Sequence, residues 1–291
     1  MTSALARKND VASSLVSGEF AFSDADFKAI AQLLYSMAGI ALPDSKATLV
    51  YSRLAKRLRS LGLKTFGEYC DLVASPEGQD ERLMMLAALT TNVTRFFREP
   101  HHFEHLQSQV IEPLAASVRA GRRLRIWSAG CSTGQEPYSI ALTILKVIPE
   151  AHRLDVKILA TDIDPNVIRT ARAATYPQDL VDEIPPAMRG SWMERSDGGW
   201  TMSSAVRGMV TANELNLMND WPMRGSFDAI FCRNVVIYFD EATQARMWSR
   251  FAPRLSPGGR LYVGHSERAA YAGSKLETDG LTTYRAPGVL A

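Results

Sequence analysis

RIWSAGCSTGQEPYSIALTI, residues Arg125 to Ile144, reads as a buried strand, a tight loop and the start of a helix. Arg125, Ile126 and Trp127 supply a β-favouring run, Gly130 and Gly134 bracket three small residues, and Pro137 falls where a first helical turn tolerates a missing N–H. Such a corner lets a ligand approach bare backbone. Glu136 beside it narrows the choice, because a carboxylate there repels a pyrophosphate and favours a ligand carrying positive charge.

The pattern continues downstream as strand and helix. DVKILAT, Asp155 to Thr161, is a second strand, closed by Asp162, Asp164 and Pro165, with a helix opening at Asn166. In an α/β sheet that binds ligands over the carboxyl ends of its strands, Asp162 can accept hydrogen bonds from both hydroxyls of a ribose, whereas Asp164 reads as a helix cap. From about 176 to 208 the pattern breaks into RGSWMER, GGWTMSS and AVRGMVT, read as a small antiparallel ribbon inserted in the sheet. A strand over Val206 to Thr211 follows, with Asn216 and Leu217 beyond it placed to frame a flat base. FDAIFCRNVVIYFD then gives a buried strand with Arg233, Asn234 and Tyr238 just past its end. A helix from Glu241 to Leu255, a turn SPGGR, a strand from Leu261 to Gly264 and a late hairpin over Leu276 to Arg285 complete the unit, the hairpin suiting an antiparallel edge.

Upstream the chain is helical. Ser23 and Asp26 form a capping-box-like start, and Phe27, Ile30, Leu33, Leu34 and Met37 recur at helical spacing up to Gly39. A second helix after Pro43 and Asp44 aligns Val50, Leu54, Leu58 and Leu61 and ends at Gly62. Between Lys46 and Lys64 that helix carries six basic residues, among them Arg53, Lys56, Arg57 and Arg59, and no acid. At about 100° per residue, Lys46, Arg53, Lys56 and Arg57 share one flank, which suits an acidic docking partner. No aromatic residue interleaves that flank, which argues against single-stranded nucleic acid. Two further helices follow, around Phe66 to Val73 and Glu81 to Leu89, broken by SPEGQ.

Between the two halves lies TTNVTRFFREPHHFEHL, where Asn92, Thr94, Arg95 and Arg98 crowd around Phe96 and Phe97 and Pro100 can start a linker helix. Four polar groups beside two aromatics suit the wall of a cleft. His101, His102 and His105 have no carboxylate at ligand spacing, so they are expected as polar residues at the helix start or surface, and no metal is expected.

Composition sets few limits. A chain of 291 residues with a formal net charge of +2 is long enough for two domains and excludes neither nucleic acid nor acidic proteins as partners. Three scattered cysteines without a CxxC pair suit a reducing cytoplasm. No apolar run reaches membrane-spanning length, and the first 20 residues are small, polar and without period, so they are expected to be disordered.

The corner lacks GxGxxG and GxxxxGK[ST], which disfavours hydride transfer with NAD and phosphoryl transfer, and leaves a nucleoside bearing a sulfonium. From about Phe22 to Tyr284 the chain resembles the CheR family of chemotaxis receptor methyltransferases, on YSRLAKRLRSLG, TNVTRFFRE, WSAGCSTGQEPYS, ATDID and FDAIFCRNVVIYF. The resemblance implies an α/β fold: a Rossmann-like class I methyltransferase sheet with a small antiparallel β-subdomain insertion, preceded by an all-α domain. It implies a tail over 1–20, helices over 21–92, a connector over 93–120 and a methyltransferase domain over 121–291. It further implies methyl transfer from S-adenosyl-L-methionine to glutamates of methyl-accepting chemotaxis receptors, by a cytoplasmic monomer with no nucleic acid or membrane insertion.

Carried over by motif, cofactor contacts would come from Asn92, Thr94, Arg98, Gly130, Glu136, Asp162, Asn216, Leu217, Arg233 and Asn234. Arg98 and Tyr238 would stand nearest the transferred methyl, and Arg53, Lys56, Arg57 and Arg59 would dock the receptor. Two departures are visible. The family commonly has two adjacent acids after the second glycine of the corner, and here the first is Gln135. The inserted loop is also slightly shorter than in members that grip a receptor's C-terminal peptide, which leans toward a tether-independent enzyme. The competing readings are a non-catalytic S-adenosylmethionine sensor and a nucleic acid methyltransferase. The latter is disfavoured because RNVVIY stands where amino-methylating enzymes carry [DNS]PP[YF].

Overall fold

The computed structural model describes residues 15–90, 93–269 and 275–288. The chain divides into two compact units, Met1–Thr91 and Asn92–Ala291.

The first unit is built from α1 (Asp24–Ala38), α2 (Ala47–Leu61), α3 (Phe66–Ala74) and α4 (Gln79–Leu89). Ser23 and Asp26 form a complete capping box at α1, and Thr65 with Glu68 form a second one at α3. Val50, Leu54 and Leu58 are fully buried, each contributing about 1.5–3 kcal/mol of apolar burial. Leu61, expected on the same stripe, is exposed at the last turn. Of the expected disordered tail, residues 1–14 lie outside the described residues. Its end is ordered: Phe20 is buried edge-on to Phe66, and Phe22 packs 4.4 Å from the same ring.

Part of the basic flank of α2 is engaged within its own unit. Arg53 donates to the carbonyls of Ala88, Leu89 and Thr90, satisfying the otherwise orphaned C-terminus of α4. The Arg57 Nε donates at 2.9 Å to Glu81, a buried carboxylate that also accepts from Tyr69 Oη at 2.9 Å. The balancing acid absent from the helix itself is thus supplied by a neighbouring helix. Arg59 pairs with exposed Glu19, and Lys56 is exposed.

The second unit starts with α5 (His101–Leu106), which runs through a π-helical turn into α6 (Glu112–Arg119). The expected connector is therefore part of this unit. Phe96 is buried edge-on to Tyr176, and Phe97 packs on Phe103. The chain then forms β1 (Leu124–Ala129), α7 (Gln135–Val147), β2 (Val156–Asp162) and α8 (Pro165–Ala173). The insertion holds β3 (Thr175–Tyr176), α9 (Gln178–Val181), α10 (Pro186–Trp192), β4 (Met193–Ser196), β5 (Gly199–Met202) and α11 (Ser204–Arg207). The main sheet resumes with β6 (Val210–Glu214) and β7 (Phe227–Cys232), followed by α12 (Glu241–Phe251), β8 (Leu255–Val263), β9 (Glu277–Gly280) and β10 (Thr283–Arg285).

The inserted sheet has the order β3-β5-β4 and is antiparallel, as expected, but RGSW and AVR are helical. β6 accordingly starts at Val210, opposite Ile158, and not at Val206. α12 stops at Phe251 because Pro253 follows, and SPGGR lies inside β8 as an irregularity where the pairing with β7 shifts register.

The seven-stranded sheet has the order β6-β2-β1-β7-β8-β10-β9. Its first five strands are parallel, and β10 and β9 are antiparallel at one edge. Both faces are covered: Ile126 joins the core under α7, while Trp127 meets Trp221, Phe227 and Phe251 on the other side. The chain goes from β1 outward to β2 and β6, then returns to β7 on the opposite flank of β1. The strand order thus reverses between β1 and β7, and the crevice outside their carboxyl ends is where such a sheet binds ligands.

Arg57→Ala leaves Glu81 buried with Tyr69 as its remaining side-chain donor. Urea unfolding should show a loss of about 2–3 kcal/mol, against less than about 0.5 kcal/mol for exposed Lys56→Ala.

Candidate functional site

The corner forms because the chain leaves β1 with nowhere to place a side chain. Gly130 has φ +84, and a Cβ there would lie 2.3 Å from Val235 Cγ2. Gly134 has φ +101 at the start of α7, and its added Cβ would meet Tyr176 Oη at 2.7 Å. The N–H groups of Gly130 and Cys131 both donate to Thr161 O, at 2.7 and 2.9 Å, which pins the loop to the end of β2.

Asp162 ends β2 and is buried. Its Oδ2 accepts from Ser132 N at 2.8 Å and its Oδ1 from Asp164 N at 3.1 Å. Burial pushes its pKa up, and the amides of Asp164 and Ser132 pull it back. Each oxygen keeps a lone pair, so the carboxylate fits a pair of vicinal hydroxyls. Asp164 is the side-chain cap of α8, as its position predicts. Leu215 N donates to Asp162 O, bringing the end of β6 alongside. There Asn216 Oδ1 accepts from Met218 N at 2.9 Å, and buried Leu217 offers its carbonyl to Trp221 Nε1 and Arg250.

Glu136 is not the open carboxylate that the corner suggests. Its Oε1 accepts from Ser128 Oγ at 2.7 Å and its Oε2 lies 3.0 Å from Arg233 Nη1. Arg233, buried just past β7, also lies 3.2 Å from Glu99 Oε2 and donates to the carbonyl of Arg98. Burial pushes the Glu136 pKa up, opposed by Arg233 and Ser128. Two carboxylates around one guanidinium leave the group with one negative charge in excess, the sign that a sulfonium ligand requires. Arg233 itself is turned inward, so its guanidinium holds these acids in place.

Gly130, Glu136, Asp162, Asn216, Leu217, Arg233 and Asn234 thus gather along the carboxyl ends of β6, β2, β1 and β7. Arg98 is half-buried, with Nη1 on Val93 O at 3.0 Å and its carbonyl tied to Arg233; Thr94 is half-buried as well. Tyr238 is half-buried in a one-turn 3-10 helix, Val236–Tyr238. Asn92 lies outside the described residues.

The histidines correct another expectation. His102 is fully buried, with Nε2 2.8 Å from Thr282 Oγ1, and His105 spans Tyr262 Oη and the carbonyl of Asp279. They stitch α5 to β8 and to the β9–β10 hairpin. Glu99, His101 and His102 bring ligand-type atoms within 4.8 Å of one another. Burial drives the His102 pKa down to about 3, with Arg233 and His101 adding to the effect.

Sequence reasoning missed Glu99, Ser128 and Glu267. The buried Glu267 carboxylate accepts from the amides of Asn234 and Gly264 at 2.9 and 2.6 Å. An acid in a loop carries no local sign of which distant amides it will meet.

A reversal of strand order at β1, with backbone laid bare above it, an acid at the end of the next strand and an antiparallel β10–β9 edge, is the arrangement of a nucleoside-binding α/β sheet and fits the class I S-adenosylmethionine-dependent methyltransferases. Comparison with known proteins narrows this. Residues 92–284 match the CheR methyltransferase SAM-binding domain, and residues 25–90 match the CheR methyltransferase all-alpha domain. This chain belongs to the CheR methyltransferase family. A "probable chemotaxis protein methyltransferase" of Rhizobium etli is 53% identical over 258 residues, covering 87% of this chain and 96% of the relative. The chemotaxis protein methyltransferase of Escherichia coli K12 is 41% identical over 269 residues, 91% of each chain. Chemotaxis protein methyltransferase 2 of Pseudomonas aeruginosa is 40% identical over 271 residues, covering 91% of this chain and 94% of its own. The chain is a methyltransferase that uses S-adenosylmethionine in chemotaxis. Among the described residues, no helix is long and apolar enough to cross a membrane.

Gly130→Ala forces a side chain into left-handed backbone and against Val235. It should weaken S-adenosylhomocysteine binding at least about tenfold by calorimetry, with the far-ultraviolet circular dichroism unchanged.

Proposed function

We propose that this chain methyl-esterifies glutamate side chains on the cytoplasmic helices of methyl-accepting chemotaxis receptors. The observation that carries this reading is the match over both units, by relatives that carry the chemotaxis methyltransferase name along more than nine-tenths of their own length. When bound, S-adenosylmethionine supplies a methyl carbon activated by the adjacent sulfonium. A glutamate oxygen forms the new C–O bond as the C–S bond breaks, and that electron pair stays on sulfur in S-adenosylhomocysteine. No proton moves, because the attacking carboxylate is already ionised at neutral pH.

The protein's share is therefore to bind, orient and dehydrate, worth on the order of 7–11 kcal/mol of barrier for well-placed reactants. In this reading Asp162 takes the ribose hydroxyls, and Gly130 lets the cofactor approach main chain. The excess negative charge of Glu99, Glu136 and Arg233 favours the sulfonium. Arg98 orients the incoming carboxylate through the N–H groups that Val93 does not use. Tyr238 fixes the methyl end with its hydroxyl or ring.

Receptor docking falls to the exposed cations of α2. Arg53 and Arg57 are turned to partners inside their own unit, which leaves exposed Lys56 and Arg59, the latter in an exposed pair with Glu19 that a docking acid can exchange.

Arg98→Ala should lower turnover on receptor-containing membranes by about 100-fold at saturating methyl donor, measured as alkali-labile tritiated methyl. Unchanged turnover would remove Arg98 from the chemistry, and alkali-stable label would refute ester formation. Separately, Lys56→Glu with Arg59→Glu should reduce receptor methylation about tenfold and leave S-adenosylhomocysteine affinity as it is, since both charges lie outside the cofactor unit. A parallel loss of both would point to misfolding.

A further inference from the structure

The amides of Asn234, Val235, Val236 and Ile237 all point at one side chain. Glu267 Oε2 accepts from Asn234 N at 2.9 Å and from Gly264 N at 2.6 Å. Its Oε1 accepts from Val235 N and Val236 N, both at 2.9 Å, and from Ile237 N at 3.3 Å. The side chain is 2% exposed, and among the described residues no cation pairs with it. Its charge is met by main-chain dipoles alone.

The loop needs such an acceptor. Asn234 holds φ +58, a left-handed conformation that costs a non-glycine residue free energy and persists only where the surroundings over-determine it. The next residues enter a single 3-10 turn, whose first amides have no partner within the turn. Gly264, across the sheet end, leaves the loop no slack, since a Cβ there would lie 2.6 Å from Asn234 Nδ2. One carboxylate thus joins the end of β8 to the loop after β7. The last of the residues it holds, Ile237, is 44% exposed, and Tyr238 follows it directly.

We propose that Glu267 is a positioning residue for methyl transfer: its carboxylate sets the conformation of loop 234–237 and thereby where Tyr238 and Ile237 stand against the methyl-accepting glutamate. This rests on the receptor methyltransferase reading above. On the cofactor side Asp162 and Gly130 are held by separate bonds, to Ser132, Asp164 and Thr161, and only Asn234 lies in the loop that Glu267 holds, so cofactor binding depends on Glu267 less than the placement of Ile237 and Tyr238 does.

The test is Glu267→Gln in the full-length protein. The amide is isosteric but uncharged, and it turns an N–H toward amides that need an acceptor. Turnover at saturating S-adenosylmethionine should fall about 10- to 100-fold, while S-adenosylhomocysteine affinity should fall by a smaller factor, no more than about fivefold, since Asn234 is the one cofactor contact in the loop. Hydrogen exchange of the amides of residues 234–237 should quicken at least about tenfold, with β1 and α7 unchanged. Glu267→Asp keeps the charge on a shorter arm and should fall between wild type and Gln in both readouts; if the Gln variant does not fold, the Asp variant decides alone, by lower turnover and quicker exchange at 234–237 than wild type. Unaltered exchange at 234–237, full turnover, or a loss of cofactor affinity in step with turnover would overturn the proposal. Wild-type protein that binds S-adenosylhomocysteine and methylates no receptor would sink the functional reading, while the exchange comparison would still judge what Glu267 holds.

Discussion

Arg233 is the charge on which the second unit closes. Burying a guanidinium is tolerable only when it is paired and hydrogen-bonded, and Arg233 obtains this from two segments distant in sequence: Glu136 at the start of α7, and the consecutive Arg98 and Glu99, through the carbonyl of the first and the carboxylate of the second. The pairing draws the chain ahead of α5 onto the carboxyl end of the sheet. That stretch cannot then behave as a free linker, and Phe96 and Phe97 enter the core as a consequence. The same pairing disposes of most of the carboxylate charge that the corner seems to offer to solvent, keeping one excess negative charge in a buried setting.

Around that anchor, acceptors are placed where the strands stop. Strand ends leave amides without partners, and here two buried carboxylates collect them, Asp162 for the loop after β1 and Glu267 for the loop after β7. Both sit beside the point where strand order reverses, so the loops that must approach a ligand are also those held most closely. Satisfying main-chain donors and shaping the site are one physical task here, because an unpaired buried amide would cost as much as any single contact contributes. The proposed reaction suits such a site, since a carboxylate nucleophile asks for placement and dry surroundings and for no general base.

The cations of α2 and the histidines of α5 show how side-chain roles escape a linear reading. Six basic residues without an acid look like an exposed stripe, yet Arg53 caps another helix and Arg57 meets Glu81 from α4. His102 and His105 look like helix-surface groups and are internal ties to Thr282, Tyr262 and Asp279. In each case the partner lies far along the chain, and residue type alone names a charge or a donor without naming who receives it.

Local physics made much of this protein legible. Apolar periodicity, the capping box at Ser23, the glycine corner and the acid closing β2 depend on residues a few positions apart, so the sequence alone determined α1 to α4, the β1–α7 and β2–α8 units and the antiparallel edge. The irregular elements, RGSW as helix and SPGGR within a strand, depend on where a neighbouring strand begins, which no local pattern records. Only the tertiary structure decided that Glu136 faces Arg233, that Arg53 and Arg57 turn inward, and that Glu267 gathers the loop after β7. Burial turns a charge or a bare amide into a demand for a partner, and folding alone determines which distant residue answers it.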